Sequence, residues 1–209
     1  MKKNIFQSYR NSSFYTNFNP KKWKGILDIA YSSVVEGNAR AHNIMLSDPK
    51  VFEDATLYST ALNKAIIQEF KEQVGINPIW KKRIRRFKSN RMIYYLVDRN
   101  FFICFKALGE ENTIEGTNSN RFNNTIKGVD FSLNQEVLKE LSKLGVKGIP
   151  PILFVTFKRG GESILEIRFQ QYVEGFPVID FTLNEISTSK TKQKQSNNNF
   201  DGGLVLNIV

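Results

Sequence analysis

The chain has almost none of the residues that mark a metalloprotein, a disulfide scaffold or a thiol–imidazole enzyme. One cysteine, Cys104, and one histidine, His42, occur among 209 residues. A single cysteine excludes an internal disulfide framework. A single histidine excludes histidine-rich zinc sites and any two-histidine acid–base pair. A cysteine–histidine nucleophile could be built only from Cys104 and His42. Cys104, however, lies inside the aromatic run Phe101-Phe102-Ile103-Cys104-Phe105, where a small buried apolar residue is expected rather than an activated thiolate. Phosphate-cradling glycine loops are missing as well. The pairs Gly160-Gly161 and Gly202-Gly203 fit neither nucleotide fingerprint and fall in a hairpin and a linker. No apolar run is long enough to span a bilayer. The start, Met1-Lys2-Lys3-Asn4-Ile5-Phe6-Gln7, carries charge with no apolar core behind it, so no secretory signal and a cytoplasmic location are expected.

What the chain has in excess is positive charge. Thirty Lys and Arg against twenty Asp and Glu leave a formal net charge of +10, and the pI is about 9.6. That excess attracts polyanions, nucleic acid or anionic surfaces, without specifying a fold. A solvated basic surface is the plainer explanation for the same numbers. The remaining composition, 41% hydrophobic residues with seventeen Phe and a mean hydropathy of −0.35, suits a globular protein with a substantial core.

The charge is not spread evenly. In Lys81-Lys82-Arg83-Ile84-Arg85-Arg86-Phe87-Lys88-Ser89-Asn90-Arg91, seven of eleven positions are cationic and none is acidic. Lys81, Lys82, Arg83, Arg85, Arg86, Lys88 and Arg91 are therefore the candidate binding residues for nucleic acid or an acidic partner. Such side chains fix register on a phosphate backbone and carry no sequence information by themselves. If this stretch is helical, Lys82, Arg85, Arg86 and Ser89 share one side, with Trp80, Ile84 and Phe87 anchoring the other. Aromatic neighbours could then stack on unpaired bases. No helix-turn-helix, zinc finger or RRM signature accompanies the block, so sequence-specific reading is not expected. A membrane-surface helix would need more apolar residues than surround it.

Periodicity divides the chain. Residues 1–19 read as an irregular arm holding Phe6, Tyr9, Phe14, Tyr15 and Phe18. Residues 20–186 read as one α+β domain, helical over 20–90 and sheet-rich over 91–186. Asn19 before Pro20 starts a helix, with Trp23, Ile26, Leu27, Ala30, Tyr31 and Val34 at helical spacing and Gly37 as its stop. Ser47-Asp48-Pro49 starts a second, with Phe52, Ala55, Ser59, Leu62, Ile66 and Phe70 on one face, ending near Gly75. Residues 91–97 and 101–108 form a hairpin around Asp98-Arg99-Asn100, and 109–128 are loop-like. Ser132 caps a short helix through Val137, Leu138, Leu141 and Leu144, which Gly145 ends. After Pro150-Pro151, residues 152–158, 163–173 and 176–183 form a three-strand antiparallel meander. Residues 187–203 are a flexible linker by composition. The tail Leu204-Val205-Leu206-Asn207-Ile208-Val209 suits a strand completing the protein's own sheet or adding to a partner's.

A metal nuclease would need clustered carboxylates. The nearest arrangements are Asp98 with Lys106 across the hairpin, and Glu166 with Arg168 on one face of a strand. Lys106, Glu166 and Arg168 thus form a possible second site, although Cys104 stands where a restriction-type site on Lys106 would place its second acid. A charged strand face in water accounts for Glu166 and Arg168 equally well. No metal and no cofactor is expected.

The second half shows an ordered pattern: a hairpin with Ile103-Cys104-Phe105-Lys106, a polar loop, a short helix over 132–144, then Gly148-Ile149-Pro150-Pro151-Ile152-Leu153 and a meander through Leu183. Over roughly residues 80–185 it resembles a family of small, poorly characterised prokaryotic proteins from two-gene toxin–antitoxin or phage-defence loci. The resemblance implies a growth-inhibiting or defence effector held by a cognate antitoxin, and it implies no catalytic residues. The expected architecture is N-terminal helices packed on an antiparallel sheet. The expected role is a toxin-like or defence-associated protein that engages nucleic acid, or an acidic antitoxin, through 81–91. The alternative is a non-enzymatic interaction module with an acidic partner, and a metal-dependent nuclease stands behind both.

Overall fold

A computed structural model describes residues 18–52, 55–89, 92–108, 133, 135–160, 163–173 and 176–185. The expected arm before residue 18, the loop at 109–128, the linker and the apolar tail lie outside the described residues, as does Arg91. The fold is α+β. Helices α1 (Lys24–Ser47) and α2 (Ala55–Ile76), joined through a 3-10 turn (Pro49–Phe52), lead into a one-turn helix α3 (Trp80–Arg83). Strands β1 (Ile84–Ser89), β2 (Met92–Val97) and β3 (Phe101–Ala107) follow, then helix α4 (Gln135–Lys143) and strands β4 (Ile152–Gly160), β5 (Ser163–Val173) and β6 (Phe176–Phe181). The six strands lie in sequence order, leaving β1 and β6 at the two edges.

Two features of the sheet depart from the sequence expectation. The sheet begins at Ile84, inside the basic block, so the helical reading of 80–90 is corrected beyond Arg83. The burial along β1 explains the change. Ile84 packs among the residues against α1 and α2, whereas Phe87 packs on the opposite face. A strand crossing the sheet edge sends such residues to opposite sides, and a helix would have brought them together. The sheet is also not wholly antiparallel, because β3 and β4 pair in parallel from Phe102↔Ile152 to Ala107↔Phe157. A parallel pair needs a crossover, and the connection carrying α4 supplies it.

Helix α1 runs ten residues past its expected stop, from Gly37 to Ser47. Gly37 is not a terminator but a point of close approach. An added Cβ there would sit 2.6 Å from the Cα of Ile66 on α2. The start of α1 also moves: the Asn19 side chain accepts the Lys21 N–H at 3.0 Å in a turn, and the helix itself begins only at Lys24, with Trp23 at its N-cap and no side-chain cap. The face of α2 also shifts, because Tyr58 is buried and Ser59 is exposed.

The sheet separates two apolar layers. Against α1 and α2 lie Tyr95, Val97, Phe101, Ile103, Phe105, Leu153, Val155, Phe157 and Phe169. Phe70 of α2 meets Tyr95 at 4.6 Å and Phe105 at 5.2 Å, both edge-on. Its complete burial contributes on the order of 1.5–3 kcal/mol of hydrophobic stabilisation. On the other face Val137 and Leu141 of α4 cover Leu96, Phe102, Cys104 and Phe154. Phe18, the first described residue, packs edge-on against Phe101 at 5.7 Å.

Candidate cationic interface

Trp80 fixes the start of the basic segment. It is 7% exposed and lies 6.5 Å from Trp23. Gly25 leaves room for the indole, since a Cβ there would meet Trp80 Nε1 at 3.2 Å. The Asn77 side chain accepts the N–H groups of Ile79 at 3.0 Å and Trp80 at 3.1 Å, which begins α3. Lys81 and Lys82 point to solvent from that turn.

The six described cations then divide by role. Arg83 is committed to the fold. Its guanidinium donates to Asp98 at 2.5 Å and lies over the Trp80 ring at 4.7 Å. The Asp98 hydrogen bond raises the Arg83 pKa above its ordinary value. Arg85, Arg86 and Lys88 are exposed along β1. Strand alternation sends Arg86 and Lys88 to the α1/α2 side, about 7 Å apart, and Arg85 to the other. Arg86 also hydrogen-bonds the Tyr95 phenol, whose pKa is raised by burial against that opposing effect. Lys81, Lys82, Arg85, Arg86 and Lys88 are thus five exposed cations on one edge. Trp80, Phe87 and Tyr94 are all buried, so these rings do not offer the stacking faces that the sequence suggested for unpaired bases.

The second candidate set shares the α4-facing side of the sheet, with β4 between Lys106 and Arg168. Lys106 lies opposite Thr156 on β4, and Thr156 lies opposite Arg168 on β5. Arg168 donates through Nε to Asp180 at 2.7 Å and through Nη1 to Glu166 at 2.8 Å. These two carboxylates raise its pKa further, the Asp180 bond most. The guanidinium therefore occupies the space between Glu166 and Asp180 and ties β5 to β6. Asp180, which sequence reasoning missed, lies opposite Gln170 across the β5–β6 pair. Asp98 is not with Lys106: it sits at the β2–β3 turn, paired to Arg83, with Lys106 near the far end of β3. Burial lowers the Lys106 pKa. Among the described residues no three His, Cys, Asp or Glu side chains gather in a metal-binding cluster.

Cys104 is buried and reduced, and burial pushes its thiol up to about 12. It packs with the α4 layer, whereas His42 belongs to α1 on the other side of the sheet. The two cannot form a nucleophilic pair. Among the described residues no helix is long and apolar enough to cross a membrane.

Two further residues flank the basic edge and carried no sequence signal beyond Pro78. Ile76 is 84% exposed and Ile79 60% exposed, at the corner between α2 and α3. No family model, curated protein or solved structure matches the chain.

Proposed function

We propose that the chain is a cytoplasmic toxin-like or phage-defence-associated protein whose β1 edge engages the phosphate backbone of nucleic acid. One observation carries the reading: Lys81, Lys82, Arg85, Arg86 and Lys88 are exposed along one short, well-anchored segment. Cations held on a strand lose less freedom on binding than the same charges on a loose tail. Contacts of this kind are to backbone rather than bases, so binding should be independent of sequence. The same charges also keep an open sheet edge from pairing with another chain, and the two roles are compatible.

The dependence of binding on salt tests the proposal. Five phosphate contacts give a log–log slope of about −4 to −5 on duplex DNA. Arg85→Ala with Arg86→Ala should make it shallower by about two, with affinity falling on every sequence alike. Unchanged affinity and slope in that variant would remove the proposal's support. A cognate antitoxin or other acidic protein covering the same edge is the second reading, favoured by the exposed isoleucines beside it.

A further inference from the structure

The corner at residues 75–79 combines three properties that a phosphate-binding edge does not require. It presents large apolar side chains to water, with Ile76 and Ile79 exposed over most of their surface. It is held in place from within, by the Asn77 side chain on the Ile79 and Trp80 N–H groups and by the Lys81 N–H on the Asn77 carbonyl at 3.0 Å. Along the chain it is followed by positive charge alone, because no Asp or Glu occurs between Glu72 and Asp98, and Glu72 itself is paired with Arg40. Ile79 has helical backbone angles, so Lys82, three residues on, shares its side.

We infer that this corner docks an acidic segment of a protein partner, with Ile76 and Ile79 as its apolar anchors and Lys81 and Lys82 as its charge contacts. Charge complementarity selects the occupant. A phosphate backbone offers nothing apolar to cover two isoleucines. A membrane-surface site needs a broad apolar helix face, and this corner has only two large aliphatic side chains. An acidic amphipathic segment meets both halves of the surface, and the rigid corner lowers the ordering cost of binding. The inference shares Lys81 and Lys82 with the phosphate edge and is set apart from the nucleic-acid reading by Ile76 and Ile79, which that reading does not use.

Fluorescence anisotropy with the full chain tests it, using a labelled synthetic helix with leucines on one face and glutamates flanking them. The comparison probes are the same helix with serine for each leucine, duplex DNA, and phosphatidylcholine–phosphatidylserine vesicles. The leucine helix should bind at least about tenfold more tightly than the serine helix. Ile76→Ser with Ile79→Ser should abolish that difference while leaving DNA affinity and the thermal transition unchanged. Equal affinity for the two helices overturns the inference. So does an isoleucine variant that weakens DNA binding, which would make the corner a groove-inserting wedge, or one that weakens vesicle binding. Loss of DNA binding in the Arg85/Arg86 variant with the helix difference intact would separate this site from the phosphate edge.

Discussion

Replacing Gly37 by alanine opposes two effects of known size, and the structure decides the sign. In a free helix the change is favourable by about 0.8–1 kcal/mol, because alanine loses less backbone entropy on folding. At Gly37 the new Cβ would lie 2.6 Å from the Cα, 2.7 Å from the N and 2.7 Å from the Cγ1 of Ile66. Two of those atoms are backbone, so rotating a side chain cannot relieve the contact and α2 must move away from α1. That displacement opens an interface containing Leu27, Ala30, Val34, Leu62 and Phe70. Overpacking of this kind costs roughly 1–3 kcal/mol, and backbone that must shift puts it in the upper part of that range, about 2–3 kcal/mol, giving a net loss of about 1–2 kcal/mol. A chain of this size should then melt several degrees lower, about 2–4 °C per kcal/mol. Urea denaturation should show a reduced midpoint with the same slope. Gly75→Ala is the internal control: it also lies in a helix, nothing stands within 4 Å of its added Cβ, and it should stabilise by up to about 1 kcal/mol. A Gly37→Ala protein as stable as the parent would refute the close helix crossing. Equal losses at both positions would show that the contact is not the cause.

Three other outcomes follow from the geometry of the sheet. Cys104 should resist iodoacetamide in the folded protein and react once urea exposes it; rapid native alkylation would contradict its burial under α4. Its folded pKa, about 12, lies above the unfolded value of about 8.5. Its contribution to stability is therefore whole below the unfolded value and is lost as pH rises toward 12, so Cys104→Ala should flatten the alkaline limb of the stability profile. At the β2–β3 turn Asp98 and Arg99 have φ of 47° and 62°, a pattern that favours glycine at the second position. Arg99→Gly should raise stability by up to about 1 kcal/mol, measured by thermal unfolding; a clear loss would refute the turn geometry.

Much of the strand arrangement was legible because period-two patterning is local. The hairpin across Asp98-Arg99-Asn100 and the three strands after Pro150-Pro151 appear near their expected bounds. The short helix ends at Lys143, two residues before Gly145, whose φ of +74° shows the expected left-handed stop. Gly37 misled because glycine marks both helix ends and close helix crossings, and only the position of Ile66 distinguishes them. The basic block misled for a related reason. Six residues with Ile84 and Phe87 three apart fit a helical face, and the opposite faces they reach become visible only once β2 is beside them. Glu166 and Arg168 were correctly placed on one strand face, but Asp180 reaches Arg168 from a different strand.

By itself, the sequence determined the charge and much of the local patterning. Its concentration of positive charge at 81–91 and its single Cys and His follow from composition and order alone, as do the main apolar periods. Tertiary structure decided which of those charges stay exposed. Arg83 was claimed by Asp98 and Trp80, and Arg168 by Glu166 and Asp180, because strand pairing brought distant acids to them. Lys81, Lys82, Arg85, Arg86 and Lys88 remained exposed on an edge, and Ile76 and Ile79 were left uncovered beside them. Charge is a property of residues one at a time, whereas availability depends on what the rest of the chain packs against them.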